Sequence, residues 1–72
     1  MTEEVFLAKM TDILEVEEPV TMETVLPELE EWDSLAHVSV ISFAKAVLGK
    51  KVTVPELKTV NTVADLYNIL KA

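Results

Sequence analysis

The sequence has no cysteine, no arginine, one glycine and one histidine among its 72 residues. Without cysteine, neither a disulfide framework nor a thiolate metal site is available. A single glycine excludes a glycine-rich phosphate loop. Together with only three prolines, it also favours long helices over a series of short strands joined by tight turns. We therefore predict an all-α fold.

Long apolar runs are missing as well. The first apolar stretch, Val5 to Ala8, is four residues long and follows no basic residue, so we expect neither a secretory signal nor a membrane span. Half of the residues are nevertheless apolar, which argues against a disordered acidic tail. We predict one cytoplasmic, monomeric domain over residues 1–72.

Acidic residues are concentrated in the first half of the chain. Residues 1–33 hold eleven acids and one lysine, whereas residues 34–72 hold two acids and five lysines, for a net charge of −7. Nucleic acid is not an expected partner, because phosphate contacts need a basic patch. The acidic half fits a protein partner with a basic face, and the alternative is that the charge only keeps the domain soluble.

The first helix and the connection after it follow from the spacing of apolar residues. From Glu3 to Leu14, residues at three- and four-residue intervals form one face around Phe6, Met10 and Ile13, with Thr2 as the N-cap. Residues 16–33 form a connection long enough to need a structure or function of its own. We expect its apolar side chains to turn inward, with packing favoured over a ligand-binding role for the single tryptophan: Val25, Leu26, Leu29 and Trp32.

A second helix is predicted from Ser34 to Leu48, with Asp33 as the N-cap and Gly49 at the C-terminal end. Helical spacing turns one face inward: His37, Val40, Ile41, Ala44, Val47 and Leu48. Another side is left exposed, and its two apolar residues suggest a docking surface, although isolated exposed apolar residues are also ordinary: Leu35, Val38, Ser39 and Ser42.

Two further helices are predicted from capping pairs. Thr53 and Glu56 precede a short third helix, and Thr62 and Asp65 form a capping box at the start of the fourth. Four amphipathic segments with short or pinned loops predict a small antiparallel four-helix bundle, with three longer helices and a short third one.

The sequence offers no convergent set of catalytic groups. Ser34 and His37 could pair as nucleophile and base, but no third orienting group or oxyanion site accompanies them. A partly buried, hydrogen-bonded histidine is favoured over a base, and we predict no catalysis. The acids of residues 28–33 lack the alternating spacing and the turn glycine of a calcium loop, so we predict a solvated acidic loop and no metal site.

The most informative stretch runs from Glu31 to Val38, where Ser34 opens a long helix directly after a capping aspartate. Backbone N–H groups at a helix start are unpaired and carry partial positive charge, so a phosphodiester on Ser34 would be well placed there. The alternative is that Asp33 and Ser34 only begin a helix.

With this motif, the chain resembles the acyl carrier protein family, which includes the peptidyl carrier domains, over nearly its whole length. The likeness rests on size, acidity, one helix, a long loop and Trp-Asp-Ser-Leu at positions 32–35. Val-Pro-Glu-Leu at 54–57 is similar to the family's short third helix, and Thr-Val at 62–63 is similar to the start of its fourth.

The resemblance implies a carrier function. A phosphopantetheinyl transferase would attach 4′-phosphopantetheine from coenzyme A to Ser34, and the arm would carry acyl groups as thioesters between acyl-loading and acyl-processing enzymes. Asp33 and Leu35 would help the transferase to recognise the serine. The docking face would consist of exposed residues of the second helix: Leu35, Val38, Ser39 and Ser42.

The second helix departs from typical fatty-acid carriers, in which it has several acids. Here no acid occurs between Asp33 and Glu56, and Ala36 stands where those carriers usually have one. Rim charges mainly set association rate and partner choice, so we prefer a specialised pathway with a polyketide, aminoacyl, modified sugar or lipid cargo over housekeeping fatty acid biosynthesis. The alternative function is a non-carrier acidic helical adaptor that binds a basic protein partner.

Overall fold

The computed structural model describes residues 1–71, and helices make up most of this part of the chain. The α-helices are α1 (Glu3–Leu14), α2 (Ser34–Phe43), α3 (Val54–Thr59) and α4 (Val63–Lys71). A 3₁₀ turn covers Leu26–Glu28, and a π-helical segment, Ala44–Leu48, continues α2. Within residues 1–71 the only extended pairing is an isolated bridge between Val25 and Thr62. The predicted all-α class is confirmed.

Helix α1 begins and ends where the sequence predicts. The Thr2 hydroxyl accepts a hydrogen bond from the Val5 N–H at 3.3 Å, and Glu15 closes the helix in the left-handed region with φ 55°. The inward face is rotated slightly from the predicted one. Leu14 is buried beside Phe6 and Met10, whereas Ile13 is half-buried.

Helix α2 is not one continuous α-helix to Leu48, and this part of the prediction is wrong. Its last five residues are π-helical and end at Gly49, which adopts φ 63°. Hydrogen bonds in a π-helix span five residues instead of four, so the inward face that passes through Val40 and Ala44 does not extend to Val47. Val47 is 58% exposed, contrary to the predicted core position.

The connection between α1 and α2 is held against the start of α4. The Val63 N–H donates to the Thr24 carbonyl at 3.0 Å. The Ala64 N–H donates to the Met22 carbonyl at 2.9 Å. The connection therefore supplies acceptors for N–H groups that the first turn of a helix leaves unpaired. As predicted, its apolar side chains turn inward. Leu26 is fully buried, and three others are half-buried: Val25, Leu29 and Trp32.

One hydrophobic core joins all four helices and the connection. Apolar side chains that lose all contact with water contribute roughly 1.5–3 kcal/mol each to folding before entropic costs. The largest of these side chains come from α1, the connection, α2, α3 and α4: Phe6, Met10, Leu26, Val40, Leu57, Val63 and Leu66.

The two predicted capping pairs differ in the structure. Asp65 and Thr62 form the full box, because the Asp65 N–H donates to the Thr62 hydroxyl at 3.3 Å and the Thr62 N–H donates to the Asp65 carboxylate at 3.1 Å. At α3, by contrast, the Thr53 hydroxyl donates to the Glu56 carboxylate at 3.1 Å without capping a backbone N–H. In the described residues neither backbone hydrogen bond of a capping box is made by this pair, so the capping box predicted at α3 is wrong.

The Asp65 cap makes stability depend on pH. Hydrogen bonds from the backbone N–H groups of Thr62 and Asn61 lower the pKa of the Asp65 carboxyl. A carboxyl with a lowered folded-state pKa stabilises the fold above its unfolded pKa of about 3.9, and this contribution is lost as pH falls through the folded value. The urea midpoint of Asp65→Asn should therefore lie below that of the natural chain at about pH 6, and the gap should narrow by about pH 3. A gap of constant size would contradict this role.

Candidate functional site

Ser34 is the first residue of α2 and its side chain is exposed. Ser34 does not cap α2; the preceding residue, Asp33, does. The Asp33 carboxylate accepts the Ala36 N–H at 3.0 Å, and the Asp33 carbonyl accepts the His37 N–H at 3.0 Å. In the described part of the chain no group hydrogen-bonds the Ser34 hydroxyl. The hydroxyl is accessible to another molecule and is not needed to cap the helix.

The backbone around Ser34 suits a phosphate. The N–H groups in the first turn of an α-helix point along the axis away from the helix and have no acceptor within it. The Ala36 N–H already donates to the Asp33 carboxylate. The N–H groups of Ser34 and Leu35 therefore remain available to an external acceptor. The partial positive charge of the helix start acts in the same direction.

The predicted docking residues lie together on one exposed stripe of α2, because positions three, four and seven apart share a helix face. Leu35 is 78% exposed and Val38 is 59% exposed. We define this stripe as the α2 face; all four of its residues are exposed, as expected: Leu35, Val38, Ser39 and Ser42.

An open cleft of about 380 Å³ lies between the end of α1 and the start of α2. Its lining includes apolar side chains from Ile13, Leu14 and Ala36 and acidic side chains from Glu15 and Glu31. Asp33, Leu35 and Ser39 also line it, so it adjoins both Ser34 and the α2 face. Sequence reasoning missed this cleft because its two walls come from segments separated by the long connection.

His37 does not pair with Ser34. Its side chain is 8% exposed and meets the Trp32 ring edge-on, with the ring centroids 4.7 Å apart. Burial of His37 and packing of Trp32 against the core are as predicted. The expectation of a hydrogen-bonded ring is not met at Nε2, which is buried without a partner among residues 1–71.

The buried Nε2 atom should lower stability. An unsatisfied buried polar group costs about 1–3 kcal/mol, while an edge-to-face aromatic contact contributes about 0.5–1.5 kcal/mol. The first effect is the larger, so His37→Leu should raise the free energy of unfolding by roughly 1 kcal/mol, as measured by urea denaturation. A clear loss of stability in this variant would show that Nε2 has a hydrogen-bond partner in the native protein.

Asp33 can be tested for two separate roles, capping and recognition. Asp33→Ala removes the cap and should cost about 1 kcal/mol, whereas Asp33→Asn keeps a capping oxygen and should cost far less. If a phosphopantetheinyl transferase reads the carboxylate, both variants are modified more slowly than the natural chain. Modification of Asp33→Asn at the natural rate would limit Asp33 to its structural role.

Metal-binding and membrane-spanning features were also sought. Among residues 1–71, no three histidine, aspartate or glutamate side chains are grouped so that they could hold a metal ion. None of the helices in this part of the chain has the length and apolar character needed to cross a membrane.

The chain was compared with protein-family models, with curated proteins and with solved structures. None of the three comparisons found a match.

Proposed function

We propose that this chain is an acyl carrier protein whose Ser34 bears a 4′-phosphopantetheine arm. The observation that carries the proposal is the exposed Ser34 hydroxyl, which opens α2 without being used as its cap. An attachment site needs an oxygen that a transferase can reach and a backbone that tolerates a phosphodiester. The free first-turn N–H groups meet the second need.

The proposed architecture is the antiparallel four-helix bundle of that family. Two clefts support it. The end of α1 and the start of α2 line one cleft, whereas Phe6 near the start of α1 lines another with Leu48 after α2 and with Tyr67 and Leu70 of α4. These neighbours fit an α1 that runs opposite to α2 and α4.

The residues around Ser34 fit the proposed group. The Ser34 hydroxyl would form the new bond to phosphorus, the phosphoanhydride bond of coenzyme A would break, and adenosine 3′,5′-bisphosphate would leave. The hydroxyl proton would pass to a base of the transferase. Asp33 holds the helix start in place, and the N–H groups of Ser34 and Leu35 would be the ones available to the phosphodiester. The arm would supply a thiol that carries acyl groups as thioesters. The chain itself has no cysteine and so cannot provide this thiol.

Partner enzymes would dock on the α2 face. Leu35 and Val38 offer apolar contacts beside Ser34. The acids that line the adjoining cleft belong to the end of α1 and to the connection, not to α2 itself. Because charge at a rim mainly controls association rate and partner choice, this pattern supports a specialised biosynthetic pathway. A typical acidic-helix carrier should serve fatty-acid elongation enzymes better than this one, and equal acceptance of the two would contradict the assignment.

Intact-mass analysis tests the carrier function directly. The purified chain is incubated with coenzyme A, magnesium and a broad-specificity phosphopantetheinyl transferase. A mass gain of one phosphopantetheine is expected, and omission of coenzyme A is the control. No gain with several different transferases would overturn the proposal.

The second candidate is an acidic adaptor without a prosthetic group. It is favoured by the eleven acids of residues 1–33 together with the exposed Leu35 and Val38, which would suit a basic protein partner. The same experiment separates the two functions, because an adaptor gains no mass from coenzyme A.

A further inference from the structure

The α2 face continues directly into the cleft between the end of α1 and the start of α2, which we call the α1–α2 cleft. Leu35 and Val38 are large apolar side chains that remain exposed on this face. Leu35 and Ser39 belong both to the face and to the lining of the cleft. A partner that docks on the α2 face would therefore also cover the α1–α2 cleft.

The apolar surface of the α1–α2 cleft is limited. Leu14 and Ala36 belong to its lining, but both are almost fully buried and offer little surface to a ligand. The half-buried Ile13 and the exposed Leu35 are the apolar side chains that a ligand can contact. A long hydrocarbon would leave most of its surface in water here, whereas a short apolar stem with a polar end would not.

Carboxylates supply most of the polar lining of the cleft. Glu15 follows the last residue of α1, Glu31 belongs to the connection, and both are exposed. Neither has an ion-pair partner among residues 1–71, and the sequence has no lysine or arginine between Lys9 and Lys45. Asp33, the third acid of the lining, already accepts a hydrogen bond from the backbone of α2. Two unpaired carboxylates thus remain for a cation from outside the chain.

From this combination we infer that the α1–α2 cleft receives an arginine side chain of the enzyme that docks on the α2 face. The hydrocarbon stem of the arginine would lie against Ile13 and Leu35. Its planar guanidinium has several N–H donors and can pair with carboxylates on two sides, which would be Glu15 and Glu31. The inference rests on the proposed function, because it names the chemistry by which carrier enzymes would recognise the surface beside Ser34.

The arginine is expected to select partners more than to hold them. Exposed pairs of opposite charge are weak and are screened by salt, whereas charges at the rim of an interface mainly change the association rate and the choice of partner. The apolar anchor of the docked enzyme would remain Leu35.

Backbone NMR of the isotope-labelled chain, titrated with N-acetyl-arginine methylamide, tests the cleft without any enzyme. For a single side chain we expect saturable shifts in roughly the millimolar range, confined to the amides of residues 13–15, 31 and 35–39. N-acetyl-citrulline methylamide has nearly the same shape without the charge and should give no saturable shift. Equal shifts from both probes would overturn the inference, as would shifts at every acid of residues 1–33. Equal binding of N-acetyl-lysine methylamide would overturn the choice of arginine.

Charge variants test which carboxylates are used. The double variant Glu15→Gln/Glu31→Gln should weaken binding of the arginine probe by roughly fivefold. Glu23→Gln/Glu28→Gln removes the same charge from exposed positions outside the lining and should leave binding unchanged. Equal weakening in both double variants would indicate a nonspecific charge effect and contradict the site. Ser34→Ala should bind the probe as the natural chain does.

Kinetics with the phosphopantetheinyl transferase separate this inference from the proposed function. Glu15→Gln/Glu31→Gln should raise the KM for the carrier by roughly fivefold with kcat unchanged, and the control pair should change neither. If the natural chain is modified and the KM of Glu15→Gln/Glu31→Gln is unchanged, the cleft is not used in docking, although the carrier function stands. If the natural chain is not modified at all, the proposed function fails, and the probe titration alone decides whether the cleft binds arginine.

Discussion

Replacement of Ser34 by alanine should abolish the proposed gain of phosphopantetheine and leave the fold intact. In the proposed transfer Ser34 would provide the attacking oxygen, so the variant would have no group to accept the phosphopantetheine. Its side chain is exposed and makes no capping bond, and surface substitutions of this kind usually change stability by less than about 0.5 kcal/mol. Intact mass after incubation with the transferase and coenzyme A measures the first effect, and urea denaturation measures the second.

Two other serines of α2 serve as matched controls for Ser34→Ala. Ser39 and Ser42 are also exposed, and they lie on the same helix about one and two turns further on. Ser39→Ala and Ser42→Ala should accept one phosphopantetheine each. If Ser34→Ala still gained this mass and Ser39→Ala did not, the position of the attachment site would be wrong, although the carrier function would survive.

Replacement of Leu35 by alanine should slow modification by at least about tenfold at limiting transferase, measured as kcat/KM. A few apolar anchors carry most of the binding energy of an interface, and losing one commonly costs about 2 kcal/mol. Leu35 is the most exposed of the large apolar side chains, at 78%, and it adjoins Ser34. The free energy of unfolding should change by less than about 0.5 kcal/mol.

Val47→Ala is the matched control for Leu35→Ala. Val47 is also a large apolar side chain, is 58% exposed and belongs to the same helical run, but it lies at the end remote from Ser34. Its removal should leave the modification rate unchanged. An equal decrease in the modification rate of both variants would mean that the transferase does not bind the α2 face. A large loss of stability in Leu35→Ala would instead show that this side chain supports the fold.

Local sequence signals predict the helix boundaries well because each boundary depends on neighbouring residues. Thr2, Asp33 and the Thr62–Asp65 pair make the expected capping hydrogen bonds, and Gly49 adopts the expected positive φ. Capping needs only an oxygen within a few positions of an unpaired N–H. The start of α2 at Ser34, on which the candidate site depends, could therefore be predicted from the sequence.

The features that the sequence did not predict depend on tertiary structure. The π-helical segment Ala44–Leu48 has ordinary helix-forming residues, so its composition does not distinguish it from an α-helix, and periodicity alone placed Val47 inward. Ala36 is buried although it was not assigned to the core. Both clefts are formed by residues distant in sequence, and such proximity follows only from how the helices pack.

The most direct test is the mass of the chain recovered from its own host. The protein is isolated from cells grown so that it is expressed, its intact mass is measured, and the peptide that contains Ser34 is sequenced by mass spectrometry. We expect a phosphopantetheine on the Ser34 oxygen in a substantial fraction of the molecules. An unmodified serine in every molecule would contradict the carrier function.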